Sequence, residues 1–179
     1  MTLGECIIEA AAMLNIENVL DPNILTDTDK LLIKCANYCL DEVVSEYLPL
    51  VNEKEVQATN GKIAYSLLDE AVFDIRGVYD YKSSKVRYKL MPSYIEVEKD
   101  GKYVVQYCTR LPKLSTNDEV PLQLRLTPRI VAYGIAAEYL LISGFYEEAV
   151  TYDQRFKDAL KRIAYGCSEK RIKRRRWLI

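Results

Sequence analysis

Histidine is absent from the 179 residues of this chain. Because His is the commonest general base and metal ligand, its absence excludes every catalytic triad that contains His. The phosphate-loop, dinucleotide, zinc-protease, serine-hydrolase and calcium-loop motifs are missing as well. We therefore expect no catalytic residue, no metal site and no cofactor. An enzyme built on paired carboxylates, or on Cys with Glu, stays open, but no spacing in the sequence proposes one.

The nearest thing to a run of acidic metal ligands is the polar stretch 115–119. Its Ser, Thr, Asn, Asp and Glu residues are typical of a surface turn, which is the interpretation we favour. A divalent-cation site is the alternative for this loop.

No apolar stretch of the sequence is long enough to cross a membrane. The longest apolar stretch, which follows Thr127-Pro128, predicts a helix of about 15 residues, whereas a bilayer needs roughly 20. The first residues contain neither a basic region nor a long apolar run, so we expect no secretory leader.

The five cysteines form no CxxC pair, and we expect all of them to be reduced thiols in a cytosolic environment: Cys6, Cys35, Cys39, Cys108 and Cys167.

Apolar spacing predicts two helices in the first 50 residues. The first covers Thr2 to Leu14, and the second covers Thr26 to Leu48. The predicted buried face of the first contains Ile7, Ala10, Ala11 and Leu14. Thr26 and Asp29 have the spacing of a capping box, and Pro49 ends the second helix because it has no backbone N–H to donate.

The region 127–166 predicts an antiparallel pair of helices. Thr127-Pro128 is typical of a helix start, with the Thr hydroxyl as the cap. The first helix is apolar nearly all round, apart from Glu138, which predicts burial on more than one side. Gly144 ends that helix. The second helix has an apolar stripe that we expect in the core: Phe145, Ala149, Tyr152, Phe156, Ala159 and Ile163.

In residues 53–110 the helical spacing gives way to an alternation of apolar and polar residues, which is typical of strands. Asn60-Gly61 is predicted as the tight turn of a strand pair. Further strands are predicted over 72–79, over 89–98 with Met91-Pro92 at an edge or bulge, and over 103–108. The turn at 99–102 is expected to join the last two as a hairpin. Together these segments predict four to six short strands in one small antiparallel sheet.

The predicted fold class is α+β, mainly α. We expect an antiparallel helical bundle that is interrupted by a small antiparallel β lobe and followed by an extended C-terminal arm. The predicted regions are 1–50 for the N-terminal helices, 51–110 for the β lobe, 111–167 for the C-terminal helical hairpin and 168–179 for the basic arm.

Positive charge is concentrated in the arm, although the whole chain has a net charge of −1. Its cations are Lys170, Arg171, Lys173, Arg174, Arg175 and Arg176, and they are followed by Trp177, Leu178 and Ile179. Arg and Trp are enriched at binding hot spots, so we favour a segment that docks on a protein. Phosphate binding, with Trp177 stacking on a base, is the second interpretation. A terminus without a specific role is the third.

Tyrosine is abundant, with 14 Tyr against three Phe. Tyrosine suits half-buried positions with one end in water, and such positions are common at subunit contacts. Tyr-rich strands also pack simple sheets, so this composition by itself is only suggestive.

Several segments occur in an order that suggests a family. A strand ends in the sequence Tyr107-Cys108-Thr109-Arg110-Leu111-Pro112 and is followed by the acidic link 117–121. An apolar helix comes next, with Gly134, Ala137 and Tyr139. A second helix follows it, with Ala149, Tyr152 and Phe156. This order resembles the head-to-tail adaptor, or connector, proteins of tailed bacteriophages, of the tubular tail A or gatekeeper-like type. The resemblance covers most of the chain, from about Thr2 to the arm.

The resemblance implies a structural virion protein that forms a ring of twelve copies beneath the portal protein, in the neck at the portal vertex. Such a ring is assembled in the host cytoplasm, extends the DNA channel and offers a surface to tail or neck proteins. Genomic DNA would pass through its lumen without sequence-specific binding, and no membrane is involved. We expect the isolated chain to be monomeric, with the ring forming only on its platform.

The resemblance also implies side-to-side contacts through the helices and an arm that reaches the portal or a neighbouring subunit. We expect four tyrosines to make subunit contacts: Tyr133, Tyr139, Tyr146 and Tyr152. The alternative function is a small nucleic-acid-binding module that acts through the basic arm. Deleting residues 170–179 would then abolish salt-dependent DNA binding.

Overall fold

A computed structural model shows a mixed fold of helices and strands, with two small antiparallel sheets. The structure describes residues 1–17, 19–21, 25–68, 72–122 and 126–165. Helix exceeds strand, at 45% against 26% of the described residues. The helices in these ranges are α1 (Leu3–Met13), α2 (Asp27–Glu42), α3 (Pro128–Ile142) and α4 (Tyr146–Tyr165). The strands are β1 (Leu50–Ala58), β2 (Lys62–Ala64), β3 (Val72–Tyr79), β4 (Tyr88–Leu90), β5 (Tyr94–Val97) and β6 (Gly101–Thr109).

Helix α3 packs against α1, α2 and α4, which confirms that it is buried on more than one side. Gly134 lies at its closest approach to two of these helices. A Cβ atom there would lie 2.4 Å from the Cys39 sulfur and 2.8 Å from the Phe156 ring. The absence of a side chain at Gly134 therefore lets α2 and α4 approach the same turn of α3.

Capping side chains fix the starts of two helices. In α2 the Asp29 backbone N–H donates to the Thr26 hydroxyl at 3.1 Å, and the Thr26 N–H donates to the Asp29 carboxylate at 2.8 Å, which confirms the capping box. Thr2 and Glu5 form an equivalent pair at α1. The predicted start of α3 is confirmed only in part. Pro128 lies in the first turn of the helix as expected, but the Thr127 hydroxyl makes no capping hydrogen bond.

The end of α2 differs from the predicted single helix over Thr26 to Leu48. The α-helix ends at Glu42, and the backbone then widens into a π-helical turn over Val43–Tyr47. That turn closes with the Leu48 N–H donating to the Val43 carbonyl at 2.8 Å. Widened turns of this kind are rare and have no period signature in a sequence, so apolar spacing did not reveal it.

The link between β6 and α3 is anchored to the helices. The Asn37 side chain on α2 accepts from the Leu114 N–H at 2.7 Å and donates to the Leu114 carbonyl at 3.0 Å. Further along the link, the Leu3 N–H donates to the Asp118 carbonyl at 3.0 Å. The loop 115–119 is a turn in which the Asp118 carboxylate accepts from the Ser115 N–H, in agreement with the surface-turn interpretation.

The strands form two three-stranded sheets, in the orders β1-β6-β3 and β2-β5-β4. Apolar side chains from both sheets share one core, with fully buried Tyr107 as its largest member. Leu50 pairs with Thr109, so the chain enters and leaves this lobe on neighbouring strands.

Four predictions for the lobe need correction. One sheet was expected, whereas two are present. The predicted strand 89–98 is a hairpin of β4 and β5, because Pro92 lies in a turn that closes from the Met91 N–H to the Tyr94 carbonyl. The predicted hairpin around 99–102 does not pair its flanking strands, since β5 belongs to one sheet and β6 to the other.

The turn at Asn60-Gly61 is present, with both φ angles positive, but the strand pair predicted around it is not. Its flanking strands β1 and β2 belong to different sheets and are joined there by the single bridge between Thr59 and Lys62.

Candidate interaction surface

The tight turn between α3 and α4 determines which side chains are presented at this end of the molecule. Gly144 has a φ of +86°, in the left-handed region that favours Gly. The Phe145 N–H donates to the Leu140 carbonyl at 2.9 Å, and the Gly144 N–H donates to the Leu141 carbonyl at 3.3 Å. This pair of bonds is a Schellman closure, which stops α3 abruptly and reverses the chain.

Five large apolar side chains at this turn are between 49% and 65% exposed: Leu141, Ile142, Phe145, Tyr146 and Val150. Three of them, Leu141, Tyr146 and Val150, line one groove of about 290 Å³ between α3 and α4. We call these five residues the hairpin patch. Exposed apolar side chains that cluster in this way mark an interaction site more often than those scattered singly.

The groove has an acidic end. Glu42 from α2, Glu138 from α3 and Asp153 from α4 line it together with one cation, Lys157. The Lys157 ammonium lies 3.0 Å from the Asp153 carboxylate and 3.8 Å from that of Glu42. Three carboxylates thus face one ammonium group, which leaves an excess of negative charge beside the apolar wall. We call this set the acidic cluster.

The acidic cluster is electrostatically strained. Burial raises the pKa of Glu138, and the neighbouring Asp153 raises it further. Burial also raises the pKa of Glu42, while Lys157 opposes that effect. A carboxyl whose pKa is raised lacks sufficient favourable partners for its charge, so an additional cation in the groove would stabilise both groups.

The predicted contact tyrosines do not lie on one surface. Tyr133 and Tyr152 pack on each other with ring centroids 6.3 Å apart, and the Tyr152 hydroxyl donates to the Met13 carbonyl at 3.4 Å. Tyr139 is half-buried against the helical core. Tyr146 lies in the hairpin patch and is 65% exposed. Of the four, it is therefore the residue best placed to contact a partner.

The predicted apolar stripe of α4 needs one correction. Ala149 and Phe156 are buried as expected, and Leu160 joins them. Phe145 is exposed, because it precedes the first residue of α4 and so does not continue the periodicity of the helix. The stripe therefore includes one residue that belongs to the hairpin patch.

A second surface, of mixed apolar and polar character, lies at the start of α1, where Thr2, Glu5, Asp21 and Asn117 line the same groove as the apolar residues. Ile8 and Leu25 are each more than half exposed and line a groove with Leu20, beside the loop residue Thr116. We call this the α1 patch. It shares no lining residue with the groove of the hairpin patch.

Sequence reasoning missed the acidic cluster, since its members come from three helices. Two signals were available. Asp153 and Lys157 have the i, i+4 spacing of a helix ion pair, and Glu138 is a lone charge within an apolar helix. The predicted docking residues of the arm, 170–179, lie outside the described residues.

Burial raises the pKa of three of the four described cysteine thiols, Cys6, Cys35 and Cys39, while the sulfur of the fourth, Cys108, accepts from the Arg76 guanidinium at 3.0 Å. Cys6, Cys35, Cys39 and Cys108 are buried and free. Burial raises the pKa of Cys6 to about 12 and that of Cys35 to about 11, which keeps both thiols protonated at neutral pH. The described ranges contain no group of three or more Cys, Asp or Glu side chains arranged so that they could hold a metal ion, and no helix with the length and hydropathy of a membrane span.

A scan against models of protein families finds no match to this chain, and a search of curated proteins finds none either. The surfaces described above are therefore the direct guide to its function.

Proposed function

We propose that this protein is a structural adaptor that forms a ring at the neck of a tailed bacteriophage, between the portal protein and the tail. The ring is composed of twelve copies, extends the DNA channel and offers an attachment surface to tail or neck proteins. DNA passes through its lumen without sequence-specific contacts. In this proposal the four helices act as the bundle that contacts neighbouring copies, the sheets form a projecting lobe, and residues 168–179 form the arm.

The observation that carries the proposal is the hairpin patch. Its five large side chains are about half exposed or more, and they lie at or near a turn that two backbone hydrogen bonds close, so water contacts them in the described part of a single chain. Burying one such side chain on a partner contributes up to about 1.5–3 kcal/mol. An uncovered surface of this kind supports an interaction protein.

The α1 patch supports a ring in particular. A two-fold dimer brings the same surface of both subunits together, whereas a ring joins two unlike surfaces of each subunit in a repeated contact. The hairpin patch and the α1 patch have different lining residues. A contact between the hairpin patch of one copy and the α1 patch of the next would repeat and could close.

The experiment that tests this function is co-sedimentation of the full chain with rings of a candidate portal protein, followed by electron microscopy of the pelleted material. We expect a ring of the chain on one face of the portal. The variant Tyr146→Glu should reduce this binding strongly, because it places a charge in the hairpin patch. The matched control is Tyr81→Glu, since Tyr81 is 79% exposed in a loop of the strand lobe.

Two outcomes would overturn the proposal. One is equal binding by both tyrosine variants, since the hairpin patch would then have no part in assembly. The other is no association with any portal together with salt-sensitive DNA binding that depends on residues 170–179. That result would favour the nucleic-acid module instead.

A further inference from the structure

We propose that the groove of the hairpin patch binds the basic and apolar segment 174–179 of a neighbouring copy. This inference rests on the proposed ring and adds a second contact between copies: the segment fills the groove, while Ile142 and Phe145 of the hairpin patch, which do not line the groove, are left to contact the α1 patch. The occupant is a segment of this same sequence, and its chemistry matches both ends of the groove.

The first match is charge. Segment 174–179 begins with three consecutive cations, Arg174, Arg175 and Arg176. The acidic cluster offers three carboxylates and has a single ammonium of its own. Arginine forms paired hydrogen bonds with carboxylates. A second cation beside Glu138 would therefore stabilise a carboxylate whose favourable charge among the described residues is Lys157, which is already paired with Asp153 and Glu42.

The second match is the apolar wall. After the cations the sequence continues with Trp177, Leu178 and Ile179. In the groove, the acidic cluster likewise adjoins an apolar wall of Leu141, Tyr146 and Val150. A volume of about 290 Å³ accommodates one or two side chains rather than a whole domain, which fits a short segment anchored by a large aromatic residue.

The groove lies near the start of α4, and the chain continues toward segment 174–179 from the other end of that helix. Val150 lies near the start of α4, and Tyr165 is its last residue. Fifteen residues of helix separate them by about 22 Å. In a ring, the far end of α4 in one copy can deliver the segment to the groove of the next. A segment that filled the groove of its own chain would leave neighbouring copies unconnected.

A single short segment in one groove gives a weak contact. We therefore expect the isolated chain to be monomeric at low concentration and to associate only at high concentration. On the portal the local concentration of copies is much higher, which makes the same contact effective.

Trp177 provides the test, because it is the sole tryptophan of the chain. Its emission maximum and the sedimentation coefficient of the full chain are measured together from about 0.1 to about 100 µM. We expect the emission to shift to shorter wavelength in parallel with association. High salt should weaken both changes, because cations at the edge of a groove are partly screened.

The discriminating variant is Val150→Arg, which places a cation at the mouth of the groove. It should weaken association and the emission shift by about tenfold or more. The matched control is Val51→Arg on the exposed edge strand β1, where Val51 is half exposed. That control should leave both signals within about twofold of the unmodified chain.

Three results would overturn the inference. The first is Trp177 emission typical of water at every concentration. The second is a blue-shifted emission already present in the monomer, because the segment would then bind its own chain. The third is equal behaviour of the two Val variants. If the chain forms rings on the portal while Trp177 stays in water, this inference fails alone; if Trp177 docks but no portal binds, the proposed function fails alone.

Discussion

The helical region and the strand lobe both have a buried core, but their surfaces differ. In the lobe, the large exposed apolar residues lie singly on separate elements: Val51 on β1, Leu67 in a short 3₁₀ turn, Tyr81 in a loop and Leu90 on β4. In the helical region Tyr38 and Tyr165 are also single, but the other seven belong to the hairpin patch or the α1 patch. The lobe also has an open groove of about 510 Å³, lined by Val72, Phe73 and Leu90 among others. The two regions therefore differ in how their largely exposed apolar side chains are grouped, with five of them at the single α3–α4 turn.

Edge strands show the same contrast. Strand β1 lies at the edge of its sheet, and its outer part exposes Glu53, Lys54 and Glu55. Charged residues on an edge strand discourage pairing with a second sheet. The charges on β1 therefore disfavour pairing at this edge of the lobe. Under the proposed function, this contrast favours the helices as the assembly surface.

The largest expected effect is the difference in stability loss between replacing a buried Phe and replacing an exposed one. Phe156 is 1% exposed, and Phe145 is 55% exposed at the start of the same helix. Phe156→Ala should lower the free energy of unfolding by about 3–5 kcal/mol, because it leaves a cavity between α3 and α4. Phe145→Ala should change it by less than about 1 kcal/mol while weakening portal binding. Urea unfolding and co-sedimentation measure the two quantities, and equal losses of stability would break the contrast.

The second prediction compares two glycines of the helical hairpin. Gly134→Ala should cost about 1–3 kcal/mol, since the added Cβ would collide with Cys39 and Phe156. At Gly144 no atom lies within 4 Å of the added Cβ, so Gly144→Ala meets only backbone strain, about 1 kcal/mol. Thermal unfolding of both variants measures which one loses more stability. A larger loss of stability for Gly144→Ala than for Gly134→Ala would show that close packing does not explain why position 134 is a glycine.

The third prediction concerns the buried capping carboxylate of α2. Hydrogen bonding from the Thr26 hydroxyl lowers the pKa of Asp29, with further help from the Leu20 and Thr26 backbone N–H groups. Asp29→Asn should cost about 1–2 kcal/mol at neutral pH, because a fully buried, charge-assisted network is weakened.

The pH dependence of Asp29 follows from the sign of its shift. Its pKa is lower in the folded chain, so its stabilisation is fully present above the unfolded pKa of about 3.9 and is lost as pH falls through the folded value. The difference between Asp29→Asn and the unmodified chain should therefore shrink in acid. Exposed Asp27, whose partner is exposed Lys30, is the control, and Asp27→Asn should have no measurable effect on stability.

The smallest expected effect is a gain in the free energy of unfolding, whereas the variants Phe156→Ala, Gly134→Ala and Asp29→Asn are expected to lower it. Burial raises the pKa of Glu138 in the folded chain, so any stability from this group is present below the unfolded pKa and is lost as pH rises through the folded value. At neutral pH its charge is a cost, and Glu138→Gln should make the monomer slightly more stable. The same variant should weaken the concentration-dependent shift of Trp177 emission. A less stable variant with unchanged docking would contradict the assigned role.

Local signals in the sequence were sufficient for most of the helices. The capping box of Thr26 and Asp29, the Pro128 start and the Gly144 stop each depend on neighbouring residues only, and all three are confirmed. The strand at 72–79 was predicted at its exact bounds because its alternation is strong.

Strand pairing could not be predicted in the same way, because it is decided by contacts that are distant in sequence. The turn at 99–102 has the chemistry of a hairpin, yet Tyr103 pairs with Val56 rather than with a residue of β5. The groove was equally hidden, since Glu42 and Asp153 are more than a hundred residues apart. Only packing of α2 against the α3–α4 pair brings such groups together.

The most direct test of the account is electron microscopy of the full chain mixed with candidate portal rings, with Tyr146→Glu and Tyr81→Glu as parallel samples. The account predicts a closed ring on the portal for the unmodified chain and for Tyr81→Glu, with the α3–α4 turn at the contact between copies and no ring for Tyr146→Glu. A ring that leaves the hairpin patch in solvent, or one that Tyr146→Glu forms as readily as the unmodified chain, would contradict it.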